Sequence, residues 1–308
     1  INIGWIGIWL WGSEFIVANN IMDNIGEDAI YIKGGKNTTV VGNKISNVSM
    51  VGSGGDCIQF DSAVTQGTIG TGLVVISDNT CNKKTSPNVK YGIVVGPVTG
   101  LTIIEDNKIE CSISTIIPSG CSPIYVNAAG TAQTAQVIVR GNYVSKGWRG
   151  ITIATANNIN IRHMVVGNIV IDAGTFGVWL DGNTDNVDII NNVFSGNLEY
   201  GLYLGKLVTT HRIENNIFYK NMSGLFYLNE PSYGHKYNDY FGQTVSDIRD
   251  ANGPKSLDVT ELTVDPMFVF VTDWKLPVNS LLNNAGDPTP IVCPDRLLRF
   301  CWETSNIG

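Results

Sequence analysis

The stretch "GVWLDGNTDNVDIINNVF", from Gly177 to Phe194, contains the two short patterns that decide the fold. The first is "GVWL", a small residue followed by apolar residues at its second and fourth positions. The second is "NVF", an Asn, one variable residue and one apolar residue. Both return 24 residues later, as "GLYL" at Gly201 and "NIF" at Asn216. A period of this length indicates a solenoid of stacked, similar units.

The Asn pattern recurs through most of the chain. It starts at Asn20, Asn43, Asn79, Asn107, Asn142, Asn168, Asn192 and Asn216. The intervals are 23, 36, 28, 35, 26, 24 and 24 residues, so the basic unit has 23 or 24 residues and the longer units carry insertions. Because the Asn holds the same place in each unit, we predict an internal ladder in which the side-chain amides bond to turn backbone and to one another.

The strand pattern recurs between these Asn residues. It starts at Gly7, Ala29, Cys57, Gly92, Pro123, Gly150, Gly177, Gly201 and Gly224. Alternation with a period of two predicts short strands with one face turned inward. One unit of this size cannot bury its apolar face alone, so the units must stack to make a continuous core.

With these repeats the chain resembles the right-handed parallel β-helix family of pectate lyases, polygalacturonases and phage tailspikes. The resemblance covers roughly residues 1–230 and implies an all-β fold, a single-stranded right-handed parallel β-helix of about nine coils with a C-terminal cap. Residues 231–308 break the repeat, and we expect them to form C-terminal loops and a capping segment packed on the helix. Their "DPMF" at Asp265 and "NSLLNNAGDP" at Asn279 resemble the closing segment of many bacterial secreted β-helix proteins.

The composition narrows the class of partner. The 308 residues carry a formal net charge of −7, which argues against nucleic acid as a partner. No apolar run is long enough to span a bilayer, so no membrane insertion is expected. The chain starts at Ile1 in a strand-like segment without an initiating Met, and we expect a homo-oligomer or a missing N-terminal domain to cover it. The expected location is secreted or at the cell surface.

The six cysteines fall into three groups. Cys111 and Cys121 flank one loop, and Cys293 and Cys301 lie close together in the tail. Either pair can form a disulfide, which would indicate an oxidising compartment. Cys57 and Cys81 stand in apolar strand contexts and are predicted to be buried free thiols.

Stacked coils place equivalent residues about 4.8 Å apart, so outward columns can be deduced from the repeat. The third position of the strand pattern gives Trp9, Tyr31, Gln59, Val94, Tyr125, Thr152, Trp179, Tyr203 and Phe226. Six of these nine are aromatic, which suits either an extended sugar chain or a covering loop or subunit. The predicted substrate-binding residues are Trp9, Trp11, Tyr31, Gln59, Tyr125, Trp179, Asp181 and Tyr203.

The stretch "GEDAIYIKGG" at Gly26 and its successor "GGDCIQFDS" at Gly54 bring charged residues together in adjacent coils. Stacked like charges repel, so the group needs a proton or a cation. We predict catalytic roles for Asp28, Asp56, Asp61 and Lys33, and a Ca²⁺ site made by Glu27, Asp28 and Asp56. The alternative is that these acids only cap turns. The histidines (His163, His211 and His235) are predicted to be structural.

Two chemistries fit these residues. Paired carboxyl groups can hydrolyse a glycosidic bond, and a calcium-dependent lyase can use Lys33 as its base. "GEDAIYIKGG" is similar to the Gly-Asp-Asp strand of polygalacturonases, but Glu27 replaces the first Asp and the family's other motifs are missing. Arg149 is predicted three coils from Asp56, too far to share one reacting centre.

The expected function is therefore a secreted polysaccharide-degrading enzyme, a lyase or a glycoside hydrolase, that binds an extended glycan along the outward face. Two alternatives stay open. One is a non-catalytic glycan-binding surface or adhesion module, and the other is a phage-type tailspike or capsule depolymerase.

Overall fold

The computed structural model describes most of the repeat region. It covers residues 5–34, 37–49, 54–61, 71–83, 90–96, 99–111, 121–128, 136–155, 161–181, 184, 186–205, 211–228, 234–268, 276, 280–282 and 285. Within these ranges the protein is all-β, with 29 strands and no α-helix. It follows that the described ranges offer no helix of the length and apolarity that a membrane crossing requires.

The strands form three long sheets. Sheet 1 contains β1 (Ile8–Trp11), β4 (Ile30–Lys33), β7 (Ile58–Asp61), β10 (Tyr91–Val95), β13 (Ser122–Ala128), β16 (Ile151–Thr155), β19 (Phe176–Leu180), β22 (Tyr200–Leu204), β25 (Ser223–Tyr227), β28 (Ser246–Asp250) and β29 (Gly253–Lys255). Sheet 2 contains β2 (Ile16–Ala18), β5 (Thr38–Val41), β8 (Thr71–Ser77), β11 (Thr99–Glu105), β14 (Gln136–Arg140), β17 (His163–Val166), β20 (Val187–Ile190), β23 (Arg212–Glu214) and β26 (His235–Lys236). Sheet 3 contains β3 (Ile21–Asp23), β6 (Lys44–Ser46), β9 (Thr80–Lys83), β12 (Lys108–Cys111), β15 (Tyr143–Ser145), β18 (Ile169–Ile171), β21 (Val193–Ser195), β24 (Ile217–Tyr219) and β27 (Asp239–Phe241).

The order of strands within each sheet is that of a solenoid. Each strand lies in its sheet next to the strand three positions earlier in the chain, and these neighbours pair in parallel. The exception is β29, which follows β28 directly and pairs with it antiparallel. The predicted all-β parallel β-helix is therefore confirmed. Each strand alternates as the repeat predicts: Val178 and Leu180 are buried in the core, whereas Trp179 between them points outward.

A glycine starts many of the sheet 1 strands because the corner before them is crowded. A Cβ atom on Gly177 would lie 2.5 Å from the carbonyl oxygen of Gly201, the equivalent residue of the next coil. Such a contact is shorter than real Cβ atoms make, so the close stacking of coils at this corner requires a residue without a side chain.

The predicted Asn ladder is confirmed. From Asn43 onward, each side-chain oxygen accepts both the backbone N–H and the side-chain amide of the Asn one coil earlier, at 2.9–3.0 Å. The residue before each ladder Asn has positive φ, as at Asn19 (59°) and Asp78 (55°), which suits the Asn, Asp and Gly residues found there. The ladder thus satisfies the buried backbone at the corner between sheets 2 and 3.

The ladder is one step longer than the sequence pattern predicts. Asn238 accepts from Asn216 at 3.0 and 2.9 Å, and its own amide donates to the Glu261 carboxylate at 3.2 Å. Glu261 is also bonded to His235 at 2.8 Å. A side-chain carboxylate supplies the acceptor that another Asn would provide, so Glu261 ends the ladder.

The β-helix also continues past residue 230, where the repeat was predicted to end. Strands β26, β27 and β28 each pair in parallel with the preceding coil. Beyond them the chain turns back onto the outer face of sheet 3. Leu282 is fully buried there against Ile171, Val193 and Ile217, and Phe268 packs edge-on to Tyr219 with ring centroids 5.6 Å apart. The described part of this segment therefore covers one outward face of the solenoid.

The disulfides correct one prediction and support another. Cys57 and Cys81, predicted to be free thiols, are bonded to each other, with Cα atoms 6.2 Å apart. Both lie in the interior, and the bond joins the start of β7 in sheet 1 to β9 in sheet 3. An apolar context fits a core disulfide as well as a thiol, so the sequence could not separate the two. Cys111 and Cys121 are also bonded, whereas Cys293 and Cys301 lie outside the described residues.

Two buried histidines predict a loss of stability in acid. The Nδ1 atoms of His163 and His211 accept the backbone N–H groups of Val137 and Val187, each at 3.2 Å, and burial lowers the pKa of both rings to about 4. A folded-state pKa below the unfolded value means that the stability is present above pH 6.5 and is lost as the pH falls toward 4. We expect each ring to cost about 3 kcal/mol of unfolding free energy across that window, measured by urea titration at several pH values.

The control for this prediction is the double variant His163→Asn, His211→Asn. Asn offers an acceptor oxygen in place of Nδ1 but does not titrate, so the acid-dependent loss caused by the two rings should be absent from the variant. The buried carboxyl groups of Asp28, Asp56 and Asp239, whose pKa values burial raises, act in the opposite sense but are the same in both proteins, so they cancel when the two unfolding free energies are subtracted. If the double variant lost as much stability as the wild type between pH 7 and pH 4, the histidines would not be the cause.

Candidate active site

The outward face of sheet 1 carries the columns predicted from the repeat. The strand register aligns Trp9, Tyr31, Gln59, Val94, Tyr125, Thr152, Trp179, Tyr203 and Phe226 in successive coils. Aromatic side chains therefore follow one line along the solenoid. The C-terminal segment packs on sheet 3, whereas the predicted site residues belong to sheet 1.

Asp28 and Asp56 lie at the start of adjacent sheet 1 strands, as predicted, but they are buried. Their residues are only 6% and 3% exposed. The Asp28 carboxylate accepts the backbone N–H of Asp56 at 2.7 Å, and the Asp56 carboxylate accepts that of Tyr91 at 2.8 Å. Each acid thus caps the backbone of the following coil, which favours the structural interpretation over the predicted catalytic role.

The partner of these acids is Lys83, which sequence reasoning missed. Its side chain is fully buried, donates to the carbonyl oxygens of Gly55 at 2.6 Å and of Tyr91, and lies 4.0 Å from the Asp56 carboxylate. Burial raises the pKa of Asp56 and lowers that of Lys83, and their mutual attraction opposes both shifts. The burial of Lys83 could have been predicted from "TCNK", because the alternation in β9 turns Cys81 and Lys83 to the same inward side.

A Ca²⁺ ion does not fit the predicted ligands. One oxygen of Asp28 and one of Asp56 accept backbone N–H groups, and the buried ammonium of Lys83 already stands beside Asp56. In the part of the chain that the structure describes, no group of three or more His, Cys, Asp or Glu residues is arranged to hold a metal ion. We therefore derive no calcium-dependent step.

Lys33 and Asp61 differ from the buried acids because both face outward and are partly exposed. They are opposite one another in the register, as predicted. The Lys33 ammonium lies 5.5 Å from the ring centre of Trp11, and the Tyr31 hydroxyl donates to Asp61 at 3.4 Å. These two residues belong to a polar and aromatic surface at the N-terminal end of sheet 1.

A second group of residues surrounds Arg149. The register places Arg149 three coils from Asp56, roughly 15 Å away at the strand spacing, so the two groups are separate. The guanidinium carbon lies 3.2 Å from the ring centre of Trp179 and 3.6 Å from that of Trp148. Burial lowers the pKa of Arg149 to about 10, which leaves it charged at neutral pH.

Two carboxyl groups stand near this cation. The negative charges of Asp181, which follows β19, and Glu199, which precedes β22, both act on Arg149. Burial raises the pKa of the Glu199 carboxyl, and the charge of Arg149 partly offsets the rise. We call Arg149, Trp148, Trp179, Asp181 and Glu199 the Arg149 cluster. Asp181 and Trp179 were predicted from the columns, whereas Glu199 lies in the turn before its strand pattern and was missed.

The aromatic side chains C-terminal to this cluster stack on one another. Tyr203 lies 4.6 Å from Phe176 and 4.8 Å from Phe226 between ring centres, with interplanar angles of 19° and 6°. Both faces of the Tyr203 ring are therefore covered by neighbouring rings, and Phe226 is buried. Trp9 is different, because it is 60% exposed and its ring is tilted by 39° to that of Tyr31.

The sequence comparison agrees with this architecture. Residues 82–239, just over half of the 308-residue chain, match the family model described as the right-handed beta helix region. The chain belongs to this right-handed β-helix family. Neither a curated protein nor a solved structure matches it. The fold of the family is consistent with a glycan-interacting protein.

Proposed function

We propose that this β-helix protein binds an extended polysaccharide along the outward face of sheet 1 and cleaves it at the Arg149 cluster. The observation that carries the proposal is the cluster itself, which combines a cation, two carboxyl groups and two tryptophans halfway along a line of aromatic side chains. Regularly spaced side chains suit a polymer with a repeating unit. In this proposal Lys33 and Asp61 bind the glycan near the N-terminal end of sheet 1, whereas Asp28 and Asp56 stabilise the protein backbone.

Hydrolysis is the favoured reaction because the cluster offers two carboxyl groups in different surroundings. Glu199, with its raised pKa, can hold a proton and give it to the glycosidic oxygen as the bond breaks. Asp181 then acts as the base on water or as the nucleophile, the two roles that a second carboxylate takes in glycoside hydrolysis.

Secretion is part of the same proposal. Two disulfides lie in the described part of the chain, and disulfides persist in oxidising compartments. Measurement of free thiols in protein recovered from the culture medium and from the cytoplasm of its producer would test this location.

The proposed function is tested by incubating the protein with a panel of neutral and acidic polysaccharides, with and without EDTA. We expect new reducing ends, no unsaturated products and no requirement for a divalent metal ion. Unsaturated products would replace hydrolysis by a lyase reaction. Binding without any product would favour a non-catalytic glycan-binding module, and light scattering that gives a trimer would favour the tailspike alternative. If the protein showed no binding and formed no product with any polysaccharide, the proposal would be refuted.

The N-terminal tryptophans give a separate prediction about binding. Trp9 and Trp11 are 60% and 59% exposed on the same face as the Arg149 cluster, and exposed ring faces bind the apolar faces of sugars. The double variant Trp9→Ala, Trp11→Ala should bind a long polysaccharide about tenfold more weakly, by isothermal titration calorimetry, and cleave short oligosaccharides normally. The control is Ile16→Ala, which removes a 77% exposed apolar side chain from sheet 2 and should leave binding unchanged.

A further inference from the structure

Thr152 stands out on sheet 1 because it points outward and is nevertheless buried. It lies between Tyr125 and Trp179 in the strand register, in the line of outward side chains. Its exposure is 0%, and its hydroxyl has no hydrogen-bond partner among the residues that the structure describes. A buried hydroxyl without a partner is uncommon, because it has given up its bonds to water without replacing them.

A second unpartnered polar atom belongs to the Arg149 cluster. The Nε atom of Arg149 is buried and likewise has no hydrogen-bond partner in the described ranges. The guanidinium lies against the ring of Trp179, and Trp179 is the neighbour of Thr152 in the strand register, so both unpartnered groups lie beside the same ring. Two buried polar groups beside one ring both lack hydrogen-bond partners, and a ligand that reached them would supply the missing bonds.

The charges near this place disfavour an anionic ligand. Asp181 and, once it has lost its proton, Glu199 offset the positive charge of Arg149, and the rings of Trp148 and Trp179 cover the guanidinium faces. An added carboxylate or sulfate would therefore find the positive charge of Arg149 already opposed by neighbouring carboxyl groups. A sugar hydroxyl both accepts and donates, so it can accept from Nε–H of Arg149 and exchange a hydrogen bond with the Thr152 hydroxyl.

From this arrangement we infer that Thr152 and Arg149 form a subsite for a hydroxyl group of an uncharged sugar, so that the protein selects neutral polysaccharides over uronate or sulfated ones. This inference rests on the proposed function, because it assumes that sheet 1 binds a glycan. In this subsite Thr152 determines specificity and takes no part in catalysis. Its hydroxyl becomes satisfied only in the complex.

The test uses Thr152→Val, which removes the hydroxyl and keeps the shape, and Thr152→Ser, which keeps the hydroxyl. The matched control is Thr102→Val, since Thr102 is also 0% exposed with an unpartnered hydroxyl but points into the core of sheet 2. The probes are immobilised neutral glucan, galactan, mannan, xylan and arabinan, together with polygalacturonate and a sulfated galactan. Thermal melts confirm that each variant is folded.

We expect the wild type to bind at least one neutral glycan and to bind both acidic probes at least tenfold more weakly. Thr152→Val should lose about tenfold in affinity for the neutral glycan, while Thr152→Ser and Thr102→Val stay within about threefold of the wild type. Tighter binding of an acidic probe, or unchanged binding by Thr152→Val, would overturn the inference and leave the proposed function standing. If Thr152→Val does not fold, weakened binding by Thr152→Ser overturns it. Absence of binding to every probe would refute both.

Discussion

Replacing Asn168 with Ala should lower the free energy of unfolding by about 3–5 kcal/mol. Asn168 is fully buried in the middle of the ladder. Its side-chain oxygen accepts the backbone N–H and the amide of Asn142, both at 3.0 Å, and its own amide donates to Val139 at 2.9 Å and to Asn192 at 3.0 Å. Truncation leaves these buried groups without partners and opens a cavity. Urea unfolding followed by circular dichroism measures the loss.

Two further variants show that the effect belongs to the ladder. Asn168→Asp keeps the acceptor but loses the donor and buries a charge, so it should also destabilise strongly. Asn252→Ala removes an exposed amide from the turn before β29 and should change the unfolding free energy by less than about 0.5 kcal/mol. A loss below about 1 kcal/mol for Asn168→Ala would show that water or local rearrangement replaces the ladder bonds.

The fold was predictable from the sequence because each coil repeats the same physical requirements. Asn at the inner corner and a small residue before each sheet 1 strand mark places where only a few residue types fit. The repeat was predicted to end near residue 230 because other residue types meet the same requirements in the coils that follow. Tyr237 has a φ of 56° where earlier coils use Asn, Asp or Gly, and Glu261 replaces the next ladder Asn. Neither substitution is visible as part of the repeat.

The site was less predictable because burial and contacts between coils depend on side-chain direction. The columns placed Asp28 and Asp56 together correctly. These acids stand just before their strands, where the alternation of inward and outward residues does not predict whether a side chain bonds to the next coil or faces solvent. Insertions between coils also hide distances, which is why the Cys57–Cys81 bond was missed. Arg149 is far from Asp56, the acid with which it shares a column, whereas its partners Trp179, Asp181 and Glu199 come later in the chain.

The largest effect on activity is expected from the two carboxyl groups of the Arg149 cluster. Glu199→Gln and Asp181→Asn should each lower kcat/KM by about 10²–10⁴-fold, the usual contribution of a general acid or base, with little change in KM or in thermal stability. The reason is that each variant keeps the shape of its side chain but cannot exchange a proton. Initial rates of reducing-end formation on the best substrate from the polysaccharide panel measure the loss.

The pH dependence separates the two roles. An acid must hold its proton, so wild-type kcat/KM should fall as the pH rises through the pKa of Glu199, which burial places above that of an ordinary glutamate. Glu199→Gln should lose this alkaline limb and Asp181→Asn should retain it. The matched control is Asp188→Asn, which alters another carboxylate beside an arginine, Arg162 at 2.8 Å, but on sheet 2. If Asp188→Asn lost as much activity as the cluster variants, or if both cluster variants stayed fully active, the reaction would not take place at Arg149.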